Sequence, residues 1–533
     1  MTIELLPTRA VFLPGTPISI EIRGGGSGDL VVDHLGDELA RVTVDSNLVV
    51  LDGLPEGGYG VELRSGEMRI ARTAVDVRAD VRTRLRYGFV ADFRPDRDPA
   101  GLVDTVRRLH LTAVQFYDWA YRHADLLGGG ERYDDALGNP VSLDTVRRLV
   151  AAVHETGASA LGYAAVYAVA PDEWEQWSDV GLIRADGTPW GLGDFLFVVD
   201  PSAPRWLAHF RDDLRDATAA LGFDGFHLDQ YGLPHRATRG DGADVDLTDA
   251  FPAMLRGVRD ALPDARLVFN NVNDFPTAAT ARAPQDGLYI EPWEPMTTLG
   301  SLAALVERTR AVASGRPIAI AAYQHAYDLT DAASADRATR LTMAALASRG
   351  GTQLLAGESD RVLVDPYYVR NHVAEPSTVA LLARWYDFLV AHDELLFAPD
   401  LVDVTASYVG GYNDDCDVRY DDAVVSSEAV AGTVWRSITA ARGRLVLHAI
   451  NLVGQRDTEW DAAREPFGDP GAGVVRVRRL FGRPLPRIRV ADPDGLGRLV
   501  DLDVREDGEH AVAALPPLGA WQVVLIDQEP GDE

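Results

Sequence analysis

The sequence predicts a multidomain α/β protein: a central (β/α)8 barrel, or TIM barrel, flanked by an N-terminal immunoglobulin-like β-sandwich and a C-terminal antiparallel β-sandwich. Three observations support this prediction. Short alternating strands separated by Gly, Pro and Asp turns occupy both ends of the chain. In the middle, apolar strand-like runs alternate with amphipathic segments of helical length. Eight such runs can be counted, which is the number of strands that closes a barrel.

The predicted domain boundaries follow the changes in this pattern. The three domains cover residues 1–82, 83–400 and 401–533. Six alternating stretches between residues 11 and 77 predict the first sandwich. After a helix-like segment at Pro376–His392, short strands return and predict the last domain. Examples of these strands are Thr433–Ile438, Leu445–Leu452, Val474–Val477, Ile488–Val490 and Trp521–Ile526.

The barrel strands are predicted from apolar runs that end in polar residues. They are Tyr87–Asp92, Ala113–Asp118, Ala158–Ala165, Gly225–Asp229, Leu267–Asn271, Gly287–Glu291, Ile318–Tyr323 and Thr352–Ala356. A further candidate, Phe195–Val199, is expected in the long connection after the third strand. Amphipathic helices are expected at Leu102–Leu109, Leu143–His154 and Pro204–Leu221.

Composition excludes several classes of protein. Hydrophobic residues make up 46% of the 533 and charged residues 25%, as in soluble globular proteins. The net charge of −30 argues against nucleic acid or an anionic membrane as a partner. All 51 basic residues are arginine, which excludes a Schiff-base or phosphate-loop lysine. Cys416 is the single cysteine, which excludes an intramolecular disulfide and a multi-thiolate metal site.

Polar residues at strand ends indicate where chemistry takes place, because the C-terminal ends of barrel strands meet at one mouth. The polar residues that end predicted strands are Asp92, Asp118, Asp229, Asn271 and Glu291. The aromatic residues beside them are Tyr117, Trp119, Tyr121, Tyr231, Trp293 and Tyr323. Aromatic rings stack on the C–H faces of a sugar, and carboxylates bind its hydroxyls. The pattern therefore predicts a carbohydrate site.

Two segments carry the candidate catalytic carboxyls. FDGFHLDQYG delivers Asp229, and GLYIEPWEP delivers Glu291 two βα units later. On nearby strand ends, such a pair can approach to the ~5–5.5 Å that separates nucleophile and acid/base in a retaining glycosidase. Glu294 is the competing acid. His227 points the same way as Asp229 and is either its hydrogen-bond partner or a core histidine.

Longer motifs resemble one enzyme family. YGFVADF at Tyr87–Phe93, VQFYDWAYRHADLL at Val114–Leu127, FDGFHLDQYG and YIEPW resemble glycoside hydrolase family 66. The resemblance implies retaining cleavage of α-1,6-glucan, with Asp229 as nucleophile and Glu291 as acid/base. It also implies that Asp118, Tyr121 and His123 line the site. The segment Leu354–Asn371 follows the family pattern only loosely.

The expected function is hydrolysis of α-1,6-glucosidic bonds in dextran or isomaltooligosaccharides. One alternative is a transglycosylase that forms cyclic or longer isomaltooligosaccharides with the same residues. Cyclizing members of the family carry a carbohydrate-binding insertion of domain size in the barrel, for which no gap between the predicted strands has room. The other alternative is a non-catalytic glucan-binding protein.

Neither a metal nor a cofactor is expected, since HExxH, HxH and multi-cysteine motifs are missing from the sequence. The first residues do not match a signal peptide, so a cytoplasmic protein is expected, or a secreted one if a leader has been removed. A cytoplasmic location would favour imported isomaltooligosaccharides as substrates. The sequence does not indicate an oligomeric state.

Overall fold

A computed structural model describes residues 3–193, 195–410, 413–480 and 482–527. The outermost positions of the two predicted end domains, 1–2 and 528–533, lie outside the described residues. Within the described ranges, none of the helices has the length and apolar character needed to span a bilayer.

The N-terminal part is a sandwich of two antiparallel sheets with three and four strands. Ile20 from one sheet and Leu30 and Val61 from the other are buried in a shared core. Alternating apolar residues place these side chains on the inner face of each strand. The strands are Glu4–Pro7, Ile18–Arg23, Gly28–His34, Asp37–Val44, Leu48–Leu51, Gly57–Ser65 and Met68–Val77.

Eight parallel strands form the central barrel, and each is hydrogen-bonded to the next in sequence order. Two hydrogen bonds span the seam between the first and last strands. The Thr352 hydroxyl donates to Leu85 O at 2.6 Å, and the Glu358 amide donates to Phe89 O at 2.7 Å. The predicted barrel is therefore confirmed. Its strands are Tyr87–Val90, Ala113–Phe116, Ser159–Ala165, Gly225–Asp229, Arg266–Val272, Gly287–Glu291, Ile318–Ile320 and Gly351–Gln353.

Helices pack around the barrel and begin at capping residues. The Ser142 hydroxyl accepts from the Thr145 amide, and the Asp246 carboxylate accepts from the Thr248 amide. The fifth strand is followed by a single helical turn, Thr277–Thr280, where a barrel usually has a full helix. The longer helices are Ala100–Arg108, Leu143–Glu155, Pro204–Leu221, Leu247–Ala261, Leu299–Ala313, Ala332–Ala347 and Pro376–Ala391. The shorter ones are Val81–Thr83, Trp174–Trp177, Ala326–Leu329, Tyr368–Arg370, Asp393–Leu396 and Thr405–Tyr408.

Small sheets extend from the loops between barrel strands. The additional strand expected near Phe195–Val199 is Leu196–Val198, and it pairs with two short strands outside the barrel. Arg132–Asp134 pairs with Pro140–Ser142 in a two-stranded sheet. The other three sheets have three strands each, and their central strands are Leu196–Val198, Arg236–Arg239 and Arg361–Val362. Their outer strands are, in the same order, Ala168–Val169 and Gly191–Leu192, Leu182–Ile183 and Asp244–Asp246, and Ala356–Gly357 and His372–Val373.

The C-terminal part is a second sandwich, with sheets of seven and four strands. Val418 and Leu447 from the two sheets share its core. Most pairs are antiparallel, but the two-residue strand Val425–Ser426 pairs in parallel. Trp521 stacks on Trp385 of the last barrel helix, with ring centroids 5.9 Å apart. The strands are Val402–Asp403, Val409–Gly410, Asn413–Asp414, Cys416–Tyr420, Val425–Ser426, Val434–Ala441, Arg444–Asn451, Gly473–Arg478, Arg487–Ala491, Val500–Asp501, Val504–Asp507, His510–Leu515 and Trp521–Asp527.

Candidate active site

A deep pocket opens at the C-terminal ends of the barrel strands. Asp229 ends the fourth strand and Glu291 ends the sixth, so one strand separates them. The open volume of the pocket is about 840 Å³, counting the solvent at its mouth, and lies within the range of small-ligand sites. Seven of its 21 lining residues are tyrosines: Tyr117, Tyr163, Tyr231, Tyr289, Tyr323, Tyr367 and Tyr368.

The side chain of Asn270, on the strand between them, connects the two carboxyls. Its Nδ2 donates to Asp229 Oδ1 at 2.7 Å and to Glu291 Oε2 at 2.9 Å. Because one nitrogen contacts both oxygens, these oxygens lie no more than about 5.6 Å apart, the sum of the two distances. The amide therefore links the two carboxyls and limits the separation of these two oxygens.

Each carboxyl also accepts from its own tyrosine. Tyr163 Oη donates to Asp229 Oδ2 at 2.7 Å, and Tyr323 Oη donates to Glu291 Oε1 at 3.0 Å. These tyrosines extend from the third strand and from the segment after the seventh, on either side of the pair. Both carboxyls are thus fixed at two oxygens and cannot rotate freely.

Burial and mutual repulsion separate the acidities of the pair. Burial, followed by the charge of Asp229, raises the pKa of Glu291 to about 7. Burial also raises the pKa of Asp229, but donations from Tyr163 and Asn270 oppose it. The backbone N–H of Gln230 donates to Asp229 as well, so Asp229 has three donors and Glu291 has two. Asp229 is therefore the stronger acid, and Glu291 keeps its proton longer as pH rises.

Asp118 and His123 line the same pocket in protonation states set by burial. Burial, with the charges of Asp135 and Asp229, raises the pKa of Asp118 to about 8. Burial, with the charge of Arg122, lowers the pKa of His123 to about 4. Both groups are therefore neutral near pH 7. A neutral carboxylic acid can donate to a sugar oxygen, and a neutral imidazole can also accept from a hydroxyl.

The pocket brings together nine of the thirteen residues predicted for the site. They are Tyr117, Asp118, His123, His227, Asp229, Tyr231, Glu291, Trp293 and Tyr323. His227 lines the pocket and is buried, with Nδ1 3.2 Å from Tyr87 Oη, so the hydrogen bond that the structure shows for its ring is with Tyr87 and not with Asp229. Burial lowers the pKa of His227 to about 3, so its ring is neutral.

The other four predicted residues do not line this pocket. Asp92 faces a separate cavity, where its carboxylate accepts from Arg94 at 2.7 Å. Trp119 is buried in the core and donates to Tyr163 O. Tyr121 packs edge-on against Tyr133.

Asn271 is the fourth, and it faces away because alternate side chains of a strand point to opposite sides of the sheet. Its amide donates to Phe269 O and Tyr289 O, and its oxygen accepts from Thr280. The register pairs Asn270 with Tyr289 and Asn271 with Ile290. Asn270 therefore occupies the position expected for Asn271. Glu294, the competing acid, lines a neighbouring cavity.

Three residues that line the pocket, Tyr163, Asn270 and Tyr368, are not among the residues predicted for the site. Alternate residues of a strand point to the same side of the sheet. Tyr163 and Asn270 each lie an even number of residues from a strand end that faces the barrel interior, so this alternation could have identified them. Tyr368 comes from the loop after the last strand, and its ring stacks on Tyr117 with centroids 4.3 Å apart. Strand periodicity gives no signal for a residue in such a loop. Across the described ranges, no group of three or more His, Cys, Asp or Glu side chains is arranged to hold a metal ion.

Comparison with known proteins identifies one family. The family model described as "Glycosyl hydrolase family 66" matches residues 55–525. A cycloisomaltooligosaccharide glucanotransferase from Niallia circulans is 26% identical over 341 residues, which are 57% of this chain and 35% of that protein. A dextranase from Streptococcus salivarius is 22% identical over 544 residues, which are 86% of this chain and 65% of that protein. The chain thus covers about a third of the first relative's length.

Solved structures show the same fold. A Paenibacillus sp. cycloisomaltooligosaccharide glucanotransferase, complexed with cycloisomaltoheptaose, superimposes with a TM-score of 0.86 at 18% identity. The match covers 98% of this chain and 100% of that one. An α-amylase from Geobacillus thermoleovorans, complexed with acarbose, has a TM-score of 0.53 at 12% identity, covering 85% of this chain and 100% of that one.

Proposed function

Since the chain belongs to glycoside hydrolase family 66 and is a glycoside hydrolase, we propose that it cleaves α-1,6-glucosidic bonds of dextran or isomaltooligosaccharides with retention of configuration. The α-1,6 linkage is proposed because relatives of this chain are named as a dextranase and cycloisomaltooligosaccharide glucanotransferases. The observation that carries the mechanism is the Asn270 contact with both carboxyls.

The short separation of the carboxyls supports retention. Inverting enzymes need roughly 6.5–9.5 Å between the two groups to admit a water molecule, whereas retaining enzymes need about 5–5.5 Å. The Asn270 contacts place one oxygen of Asp229 and one of Glu291 within about 5.6 Å of each other, closer than the inverting range. A nucleophile in direct contact with the anomeric carbon fits this space better than a carboxylate that acts through water.

In the proposed first step, Glu291 gives its proton to the glycosidic oxygen while Asp229 attacks the anomeric carbon. The C–O bond to the leaving chain breaks, its electron pair passes to the protonated oxygen, and a covalent glucosyl–Asp229 ester forms. The raised pKa of Glu291 keeps this proton available near neutral pH. In the second step, Glu291 takes a proton from water as the water attacks the same carbon and releases Asp229.

A glucanotransferase is the second candidate, because two curated relatives and the superimposed structure carry that name. It would use the same residues, with a sugar hydroxyl in place of water. The longest gap between consecutive barrel strands, from Ala165 to Gly225, holds short strands and two helices, Trp174–Trp177 and Pro204–Leu221. The gap holds no insertion of domain size, and the Paenibacillus glucanotransferase is matched over 100% of its chain, so both activities fit this barrel. The paired carboxyls disfavour a non-catalytic glucan-binding protein.

Proton NMR of the first products from an isomaltooligosaccharide series tests this proposal. Retention predicts that the α-anomer forms before mutarotation, and initial release of the β-anomer would contradict it. Cyclic products that resist exo-digestion would instead identify a transferase.

Variants separate the two catalytic roles. Asp229→Asn is expected to lower kcat roughly 10³-fold or more on every substrate. Glu291→Ala should retain ester formation from an α-glucosyl fluoride, because fluoride leaves without a proton. Asp92→Asn is the matched control. The Asp92 carboxylate lies in another cavity, so this variant should retain activity. If Glu291→Ala lowered the rate of ester formation equally for the fluoride and for the oligosaccharide, this result would contradict an acid role.

A further inference from the structure

A second cavity adjoins the active-site pocket on the side of Glu291. It lies between residues that follow the sixth and seventh barrel strands and the C-terminal loop that connects Arg444–Asn451 to Gly473–Arg478. Its open volume is about 850 Å³, counting the solvent at its mouth, and is comparable to that of the pocket itself. Trp293 and Tyr323 line both cavities, so the two adjoin at these side chains; we call the second cavity the groove.

The C-terminal loop is fixed against the barrel. The Trp460 amide donates to Thr297 O at 3.0 Å, and its indole Nε1 donates to Met296 O at 2.8 Å. Both the backbone and the ring of Trp460 are therefore held in place. The residues on either side, Glu459 and Asp461, consequently line the groove from fixed positions.

The groove has the chemistry of a sugar site. Trp293 is 43% exposed, so a face of its indole is available for stacking on the C–H surface of a pyranose. Polar side chains surround this face and can bind hydroxyls: Glu294, His325, Asp365, Glu459 and Asp461. Glu459 and His325 are exposed and come from different domains, Glu459 from the C-terminal sandwich and His325 from the barrel.

The position of the groove indicates which part of the substrate it receives. In the proposed mechanism, the leaving oxygen lies next to the acid/base and away from the nucleophile. Tyr323 contacts Glu291 and forms a wall of the groove, whereas Tyr163, which contacts Asp229, lines only the pocket. The groove therefore continues from the leaving-group side of the reacting bond.

The geometry points to a glucosyl-binding subsite in this groove for the leaving chain in the first step and for an acceptor sugar in the second. It is formed jointly by the barrel and the C-terminal sandwich, through Trp293, His325 and Glu459. This inference rests on the proposed roles of Asp229 and Glu291. A sugar held here excludes water from the glucosyl ester, so the groove sets the balance between transfer and hydrolysis.

The test uses the double variant Glu459→Ala/His325→Ala, whose changes affect exposed side chains and leave the Trp460 anchor intact. One substrate is an isomaltooligosaccharide, which must place sugars in the groove. The other is an α-isomaltooligosaccharyl fluoride, whose leaving group is a single ion and needs no groove. Glu509→Ala is the matched control: it removes an exposed carboxylate of the same sandwich that does not line the groove.

The double variant is expected to raise KM for the oligosaccharide about tenfold and to lower the transfer-to-hydrolysis ratio with the fluoride donor by a similar factor. Fluoride release itself should remain within about twofold of wild type. Equal effects on both substrates, or no effect on either, would overturn the subsite. If the wild-type protein does not hydrolyse the fluoride at all, the proposed function fails, and the subsite with it.

Discussion

At the residue scale, the Asn270 amide contacts both members of the proposed catalytic pair and opposes the effect of burial on their acidity. Its donations stabilise the ionised forms of Asp229 and Glu291 and lower both pKa values. Asn270→Ala should therefore move both limbs of the kcat/KM–pH profile to higher pH. Loss of positioning should lower kcat about 100-fold, which corresponds to roughly 2.7 kcal/mol of transition-state stabilisation. A lower kcat with an unmoved pH profile would contradict this role and indicate a packing defect only.

The two tyrosines provide a matched pair of pH predictions. Tyr323→Phe removes a donor from Glu291, so the pKa of this acid should rise. The acid must be protonated for the first step, so the alkaline limb of kcat/KM should move up by about 0.5–1 pH unit. Tyr163→Phe should instead raise the pKa of Asp229 and shift the acidic limb upward. Identical shifts in the two variants would contradict the assignment of the limbs.

Strand parity explains which site residues could be predicted. Asp229 and Glu291 ended predicted strands and line the pocket, because both have the inward parity of their strands. Asn271 ended a predicted strand, but the observed strand runs to Val272 and Asn271 is one position out of phase, which places it on the other face. The end of a predicted strand therefore indicates where a residue lies along the barrel axis. The alternation of side chains is needed to decide whether that residue faces the barrel interior.

At the element scale, the seam of the barrel depends on Gly357. A Cβ built on this residue would lie 2.3 Å from Phe89 O of the first strand, so no larger side chain fits between the two strands. Gly357→Ala should separate them and lower the free energy of unfolding by about 1–3 kcal/mol. The loop that carries Tyr368 begins at this point, so activity should fall as well.

Urea denaturation measures this effect. Gly519→Ala is the control: among the described residues, no atom lies within 4 Å of a Cβ built there. Its unfolding midpoint should remain that of wild type. A midpoint for Gly357→Ala equal to that of Gly519→Ala would show that the seam tolerates a methyl group.

Elements with a strong period were predicted well, and irregular ones were not. The predicted helix Pro204–Leu221 has the observed bounds, because its apolar face repeats at helical spacing and Gly222 adopts the left-handed conformation that ends it. The single turn Thr277–Thr280 is too short to show such a period. Leu354–Asn371, which matched the family pattern loosely, contains two short strands and the Tyr368 turn.

At the scale of the whole molecule, the fold class could be predicted because two different patterns divide the chain into three regions: alternating strands at both ends and alternating strands and helices between them. The sequence did not indicate how the sandwiches contact the barrel, since those contacts join residues hundreds of positions apart. The junction with the N-terminal sandwich is an example. Asp393, after the last barrel helix, accepts from Arg78 at 2.6 Å and from Arg84 at 2.7 Å. Asp76 of the sandwich contacts Arg78 and Arg86 in the same buried cluster.

Removing one charge from this cluster should be costly. Burial alone would raise the pKa of Asp393, but the charges of Arg84 and Arg78 overcome it and hold the pKa well below its usual range. Asp393→Asn leaves buried guanidinium groups without this partner and should lower the free energy of unfolding by about 3–5 kcal/mol.

The pH dependence distinguishes an ion pair from simple packing. Because the folded-state pKa of Asp393 is depressed, its contribution is present above the unfolded value of about 3.9 and is lost only as pH falls through the folded value. The stability difference between wild type and Asp393→Asn in urea titrations should therefore be the same at pH 7 and pH 5. Asp212→Asn, which breaks an exposed pair with Arg215, should leave the unfolding midpoint unchanged. A difference for Asp393→Asn that disappears between pH 7 and pH 5 would mean that the carboxyl is already protonated there and that the cluster does not hold the sandwich to the barrel by charge.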